Sequence, residues 1–553
     1  MKLKLVLYAI AATLMFAAVS VSGQSYAISK VRIVTVSGAT IENGTVVIRN
    51  GLIESVGADA RIPADAQVFD GSGLTVYPGF IDAMTNLGIA APSRPAAGGP
   101  GGGAAAAAAA AAQAQPSNSN YPAGFRPEYT SLDDIRVADS QFEAVRNAGF
   151  TTALSTGRER IFNGQSVLIN LAGESVSEIT VKAPVAMHIS FSTIPGSYPG
   201  SLLGTFSALR QLFNDARRHD QLLKMYAENP RGMKRPAADR SLEAVIPVVN
   251  RQIPVVFVAN RENEIVRALD LAKEYNLKAI IAGGQEAAKF VDRLKAQDVP
   301  VLLSMNFPKR TAAAAPDADP EPMDTLRFRV EAPKTAGKLA AAGVKFAFQD
   351  GGATNIGDLI ANAAKATQKG LSKDAAIRAM TLSPAEIFGV SDRMGSIEAG
   401  KIANLTVVRG DIFGEQKTIT HVFIDGKVFE PKPPQTPAGR GPGGRGAGTN
   451  PSALPAIAGN YAITIQAPGQ PLTGTLNLTQ QGSLLTGTMV TELGTTTIKD
   501  GRVTQTGFSF GGTVVFGGQS IDFTVQATVT GDRFTGTVDS PQGAIPISGT
   551  RNP

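Results

Sequence analysis

The chain has 553 residues, of which 43% are apolar, with no cysteine, no tryptophan, three histidines and a formal net charge of +6. That length exceeds one ordinary domain and supplies ample chain for a large core. Without cysteine there are no disulfides or thiolate metal sites, three histidines leave little room for a histidine-rich metal centre, and basic residues dispersed without interleaved aromatics form no nucleic-acid surface.

Residues 1–23 read as a signal peptide. Lys2 and Lys4 form its charged start, Leu5 to Val21 its apolar run, and the small residues Ser22 and Gly23 suit cleavage before Gln24. The expectation is a secreted or periplasmic protein with no membrane span after cleavage, and an uncleaved anchor is the second reading. Short alternating segments follow at Val31–Val36, Thr45–Arg49 and Leu52–Val56, with Asn50-Gly51 as a two-residue hairpin turn. So few strands cannot bury their own faces, so this unit needs a partner.

The run Val76-Tyr77-Pro78-Gly79-Phe80-Ile81-Asp82-Ala83-Met84-Thr85-Asn86 reads as a buried strand emerging into a loop. Residues two apart on a strand share a face, so Met84 and Asn86 point the same way. Residues 90–120 are rich in alanine, glycine and proline and read as a disordered insert, with a flexible lid as the sharper alternative. Leu132–Ala148 has helical spacing, and strands are expected at Phe150–Ser155, Ser166–Leu171 and Ala183–Ile189. From Pro254 the pattern becomes strand, helix, strand, helix, strand: Pro254–Val258, Glu262–Tyr275, Lys278–Ile281, Gln285–Ala296 and Pro300–Leu303. It continues through Lys338–Ala342, Val344–Phe348, Ile356–Gln368 and Ser372–Met380, and a (β/α)8 barrel is the economical closure of such a repeat. Strands return at Ala403–Val408 and Thr420–Phe429, the second broken by Asp425-Gly426. A Pro/Gly-rich linker spans 431–455, and 456–553 repeats short Leu-Thr-Gly-Thr-like segments that fit a small antiparallel β barrel, a binding or packing appendage.

The segments Pro78-Gly79-Phe80-Ile81-Asp82-Ala83, Ala148-Gly149-Phe150-Thr151-Thr152 and Gly395-Ser396-Ile397-Glu398-Ala399-Gly400-Lys401 together resemble the amidohydrolase superfamily, in particular its secreted imidazolonepropionase-like members, over residues 24–430. The resemblance implies an α/β fold: a (β/α)8 TIM-like barrel at 79–395, a composite β-sandwich from 24–78 and 396–430, and the separate C-terminal β domain. It also implies hydrolysis of non-peptide C–N bonds or dipeptides by a metal-activated water at the barrel mouth.

In that family the first strand continues into His-x-His, and Met84 and Asn86 stand in those places here. Val258 replaces a histidine on the fifth strand, and Gly283 opens the sixth-strand turn that lacks one. His188 falls near the fourth-strand ligand, and Asp350 keeps the eighth-strand aspartate in Phe348-Gln349-Asp350-Gly351-Gly352. Ile402 and Asn404 stand where acidic residues usually follow the lysine. Catalytic zinc needs about three protein ligands, and thioether and amide groups are poor substitutes. His188 and Asp350 remain as metal candidates with Asn86 as a poor third, and Asp350 is the catalytic candidate.

Each has a structural alternative. Asp350 beside two glycines caps a turn, and His188 in an apolar strand is a core histidine. Asp82 holds barrel structure, His219 is solvated on a polar helix, and His421 lies away from the mouth. The pairs Gly283-Gly284 and Gly351-Gly352 offer backbone N–H groups to an anion or substrate. Two functions stay open. One is a largely dismantled, non-catalytic binding or partner subunit; the other is a hydrolase with a reduced mononuclear site. No cofactor is certain beyond room for one weakly bound divalent zinc. The expected partners are a small-molecule or peptide-like ligand and a second copy or an intact paralogue.

Overall fold

The computed structural model describes residues 24–89, 121–122, 124–137, 139–157, 161–193, 198–310, 321–352, 356–431, 457–466, 471–481, 484–503, 507–516, 519–540 and 543–551. The leader at 1–23, the insert at 90–120 and nearly all of the linker at 431–455 lie outside them. The described residues divide into two compact units, one ending before 438 and one after it.

The first unit begins with β1 (Ser25–Ile33), β2 (Ile41–Arg49), β3 (Leu52–Gly57), β4 (Gln67–Asp70) and β5 (Leu74–Pro78). Between β2 and β3, Asn50 and Gly51 have φ of 52° and 80°. Positive φ at both central residues is what the twist-matching type I′ hairpin needs. Gly79 then passes so close to the neighbouring strand that an added Cβ would lie 2.2 Å from Thr151 Oγ1. Only glycine admits that approach.

The barrel strands follow as β6 (Phe80–Thr85), β7 (Phe150–Ser155), β8 (Phe162–Gln165) and β9 (Val167–Asn170). After a short β10 (Thr180–Lys182) come β11 (Met187–Ser190), β12 (Val255–Ala259), β13 (Ala279–Gly283), β14 (Val301–Ser304) and β15 (Phe346–Gln349). From β11 to β15 every neighbour pair is parallel, as are β6 and β7. The third strand differs. β8 and β9 flank Ser166 as two halves of one strand, and they pair antiparallel with β11 and β7 respectively. Residues 156–161 alone join β7 to β8, and a parallel crossover needs a dozen or more. The expected eight parallel repeats are therefore corrected at this strand.

The ring closes where Asp350 N, just past β15, donates to Asp82 Oδ1 of β6 at 3.1 Å. Ile81, Leu154, Leu168, Ala186, Val256, Ala282, Leu302 and Ala347 form one buried cluster inside it. Their strand neighbours Phe80, Ala153, Met187, Phe257, Leu303 and Phe348 belong to the larger cluster outside the barrel. This is the period-2 alternation of strands buried on both faces.

A 27-residue helix, Leu202–Glu228, and a second at Arg240–Val249 follow β11. The long helix buries Leu209, Leu212, Phe213, Ala216 and His219, the i, i+3, i+4, i+7 stripe of an amphipathic helix. His219 is therefore a correction: 8% exposed, it belongs to the packed face and not to the polar one.

The chain then returns as β16 (Leu405–Arg409), β17 (Thr418–Ile424) and β18 (Lys427–Phe429) to the first strands. All eight join one sheet in the order β18-β17-β16-β5-β1-β2-β3, with β4 alongside β1. The rings of Tyr26 on β1 and Phe423 on β17 lie 5.8 Å apart. Three strand spacings in a flat sheet would hold them roughly 14 Å apart. The sheet thus folds over its own apolar face, so the composite element is one continuous sheet instead of two stacked ones. Asn404 ties it to the barrel: Nδ2 donates to Thr152 Oγ1 (3.2 Å) and Asn170 Oδ1 (2.9 Å), and Oδ1 accepts from Asp425 N (2.9 Å).

In the second unit, strands between Gly459 and Arg551 form an antiparallel sheet in which Leu472–Gln481 pairs with both Gly459–Ile465 and Leu484–Thr491. That double pairing closes an eight-stranded barrel. Tyr461, Phe508, Phe510 and Phe534 fill its interior.

Candidate functional site

A cavity of about 640 Å³ opens at the end of the barrel where β6, β12, β13 and β15 terminate. In α/β barrels this C-terminal face is where loops build sites. Asp82, Met84, Asn86, Val258, Gly283, Asp350, Gly351 and Gly352 all line it. Positions far apart in the chain thus meet in one ring, as the sequence expectation requires.

Asp350 is engaged by the fold. Its Oδ1 accepts the N–H of Gly352 at 2.7 Å, and its Oδ2 accepts the hydroxyl of Thr85 at 3.2 Å. The first bond is an Asx-type turn, the structural alternative raised by the two glycines. Gly351 and Gly352 have φ of 65° and 74°. An added Cβ on Gly351 would lie 2.0 Å from Ser304 Oγ, so both conformation and space select glycine there.

Asp82 is 1% exposed, and its Oδ1 accepts from Met84 N (3.3 Å) and Asp350 N (3.1 Å). Burial, then the charge of Asp350, hold its carboxyl well above the usual carboxylate range, and the two backbone bonds only partly oppose this. Among the described residues no lysine or arginine lines the cavity.

His188 is not among the lining residues. It pairs in register with Val256, one step below the Ser190–Val258 pair, on the inward face of β11. It is fully buried, neither ring nitrogen has a hydrogen-bond partner among the described residues, and burial lowers its pKa to about 3. Asn86 Nδ2 donates to the carbonyls of Thr156 (2.8 Å) and Gly157 (3.3 Å). These donors do not fit a catalytic zinc. The histidine lies beneath the mouth, the carboxylate is bound within the fold, and the remaining positions offer thioether, amide, isopropyl and hydrogen. Among the described residues no three histidine or acidic side chains gather in a metal-binding group.

Two of the four paired-glycine N–H groups are already used within the fold. Gly284 N donates to Ala259 O at 2.9 Å and Gly352 N to Asp350, so both N–H groups are spent. His421 lies on β17, outside the barrel.

Sequence reasoning missed Thr85, Thr156, Asn260, Ser304 and Gln349 in the lining. Thr156 and Ser304 mark strand ends at the mouth, a signal that could have found them. Asn260 exchanges two bonds with Gln285, donating to its Oε1 (3.1 Å) and accepting from its N–H (3.0 Å). Gln285 in turn donates to the carbonyl of Asn306 at 2.9 Å. This side of the rim is held by neutral amides.

The amidohydrolase family model matches residues 323–429. Amidohydrolase TasK of Hapsidospora irregularis is 22% identical over 416 residues, 69% of this chain. The chain spans 39% of that relative's length. Among solved structures, an amidohydrolase from Thermotoga maritima superposes with a TM-score of 0.61 at 24% identity, covering 73% of this chain and all of the other. That likeness shows the fold of the region.

Proposed function

We propose that this chain, which belongs to the amidohydrolase superfamily, works as a binding or partner subunit in place of a metal-dependent hydrolase. One observation carries the reading. The ring that would grip an ion consists of Met84, Asn86, Val258 and Gly283 around an Asp350 already bonded to Thr85 and Gly352. A water-activating metal needs about three good ligands and an open position, and this ring supplies neither. The cavity remains, its wall made mostly of neutral polar and apolar groups with the carboxyls of Asp82 and Asp350 among them, a setting suited to a small-molecule or peptide-like ligand. The same proposal places the protein outside the cytoplasm, from Lys2, Lys4 and the apolar run that follows, and gives it a second copy or an intact paralogue as partner.

The test is elemental analysis of purified protein after incubation with excess zinc and dialysis. The expected result is protein without bound metal. Stoichiometric zinc that disappears in Asp350→Ala would overturn the proposal and favour a mononuclear hydrolase.

A further inference from the structure

The long helix Leu202–Glu228 outruns the fold it packs on. Its last buried residue is His219, and from Asp220 to Arg240 no residue is buried. The helical residues beyond His219 carry the chain roughly 13 Å further, and a tight turn follows. Met233 N donates to Pro230 O at 3.2 Å, and Gly232 between them has φ of 75°. This is a type II turn, which needs positive φ at its third position. Arg231 stands at the second position and is exposed.

The charge here is one-sided. Residues 229–238 hold Arg231, Lys234 and Arg235, all exposed, and no acid. No ion pair engages any of the three side chains among the described residues. By contrast, Lys224 on the helix is held by Asp220 at 2.6 Å. Four peptide steps span at most about 14 Å, so the three cations share one small patch of surface. Apolar side chains lie beside them in the chain: Met225 is 54% exposed, and Tyr226 and Met233 are half-buried. Arg218, also exposed, precedes Met225 by two helical turns and shares its face. A soluble polyanion would use the cations and leave the methionine in water. A bilayer surface with anionic headgroups takes both, the cations at the phosphates and the apolar side chains among the headgroups. Among the described residues no helix is long and apolar enough to cross a membrane, so the contact proposed is with the surface. We propose that the projection at residues 220–240 docks on a bilayer of anionic phospholipid, held by Arg231, Lys234 and Arg235 with Met225 set among the headgroups. The inference is independent of what the barrel mouth binds.

The test is flotation of the chain from Gln24 onward, which contains every described residue, with two kinds of vesicle. One is phosphatidylcholine alone, and the other holds about one third phosphatidylglycerol. Partition into the anionic vesicles is expected, with little into the neutral ones and a decline as salt rises to about 0.15 M. Each lysine or arginine near an anionic surface is worth about fivefold, so Arg231→Gln, Lys234→Gln and Arg235→Gln combined should lose on the order of a hundredfold. The combined variant should keep the parent melting curve, because these side chains hold no ion pair in the fold. Met225→Ser should lose severalfold and keep the salt dependence. Equal partition into both vesicle types, partition into neither, or full partition by either variant would overturn the docking surface. Capture by dextran sulfate without vesicle binding would overturn it too, assigning the cations to a soluble polyanion.

Discussion

Replacing His188 by leucine should make the protein more stable, and the structure supplies both the size and the pH dependence. The imidazole is fully buried with both nitrogens unpartnered, between Gly164 and Val256 in the strand register. An unsatisfied buried polar group costs about 1–3 kcal/mol, while a near-isosteric apolar replacement costs less than about 1.5 kcal/mol. A net gain on the order of 1–2 kcal/mol at neutral pH follows. The pKa, lowered from 6.5 to about 3 by burial, means the folded protein binds fewer protons here than the unfolded chain. Stability from this site is therefore present above the unfolded value and lost as pH falls through 6.5 toward about 3. Between about pH 7 and about pH 4 the loss is about 3 kcal/mol, and His188→Leu should remove that slope. Urea unfolding followed by the helical circular dichroism signal reports the barrel unit, since the helices lie there and the chain has no tryptophan. Destabilisation of the variant by about 2 kcal/mol or more would mean that the ring nitrogens have a partner in solution, and the reasoning would fail.

Asp82 should act with the opposite sign. Its raised pKa makes its contribution complete below the ordinary carboxyl value of 3.8 and lost as pH rises toward the folded value. Asp82→Asn should accordingly flatten that decline in the same unfolding series. Gly352→Ala should cost about 1 kcal/mol, the left-handed backbone penalty, because nothing lies near its added Cβ. Gly351→Ala should cost about 1–3 kcal/mol more from the clash with Ser304 and Asn306; equal costs would contradict the packing. Asn404→Ala should cost about 1–3 kcal/mol by orphaning Asp425 N, while Asn170 Oδ1 keeps the Thr152 hydroxyl at 3.0 Å. A double-mutant cycle with Thr152→Val should show a coupling of about 0.5–3 kcal/mol.

Much of the architecture was legible in the chain. Alternating strands and helices from Pro254 onward carry their own periodicity, and the Asn50-Gly51 and Asp425-Gly426 turns announce themselves because so few residues accept their φ. The antiparallel third strand was less legible, since direction depends on the length of the connection and on what each edge can pair with. His219 was misread because its charged neighbours hid the apolar stripe at helical spacing. Asn404 looked like a lost acid and is a buried strut between sheet and barrel.

Residue identity by itself determined which groups the barrel mouth holds: a thioether at 84, an amide at 86, an isopropyl group at 258 and no side chain at 283. Only the tertiary structure decided what the survivors do. It turned Asp350 into a turn cap, set His188 below the cavity, and left Thr156 Oγ1 in its wall without a partner among the described residues. The physical reason is that composition sets how many polar groups exist, while hydrogen-bond satisfaction depends on distances of about 3 Å between residues hundreds of positions apart, which only the closed barrel defines.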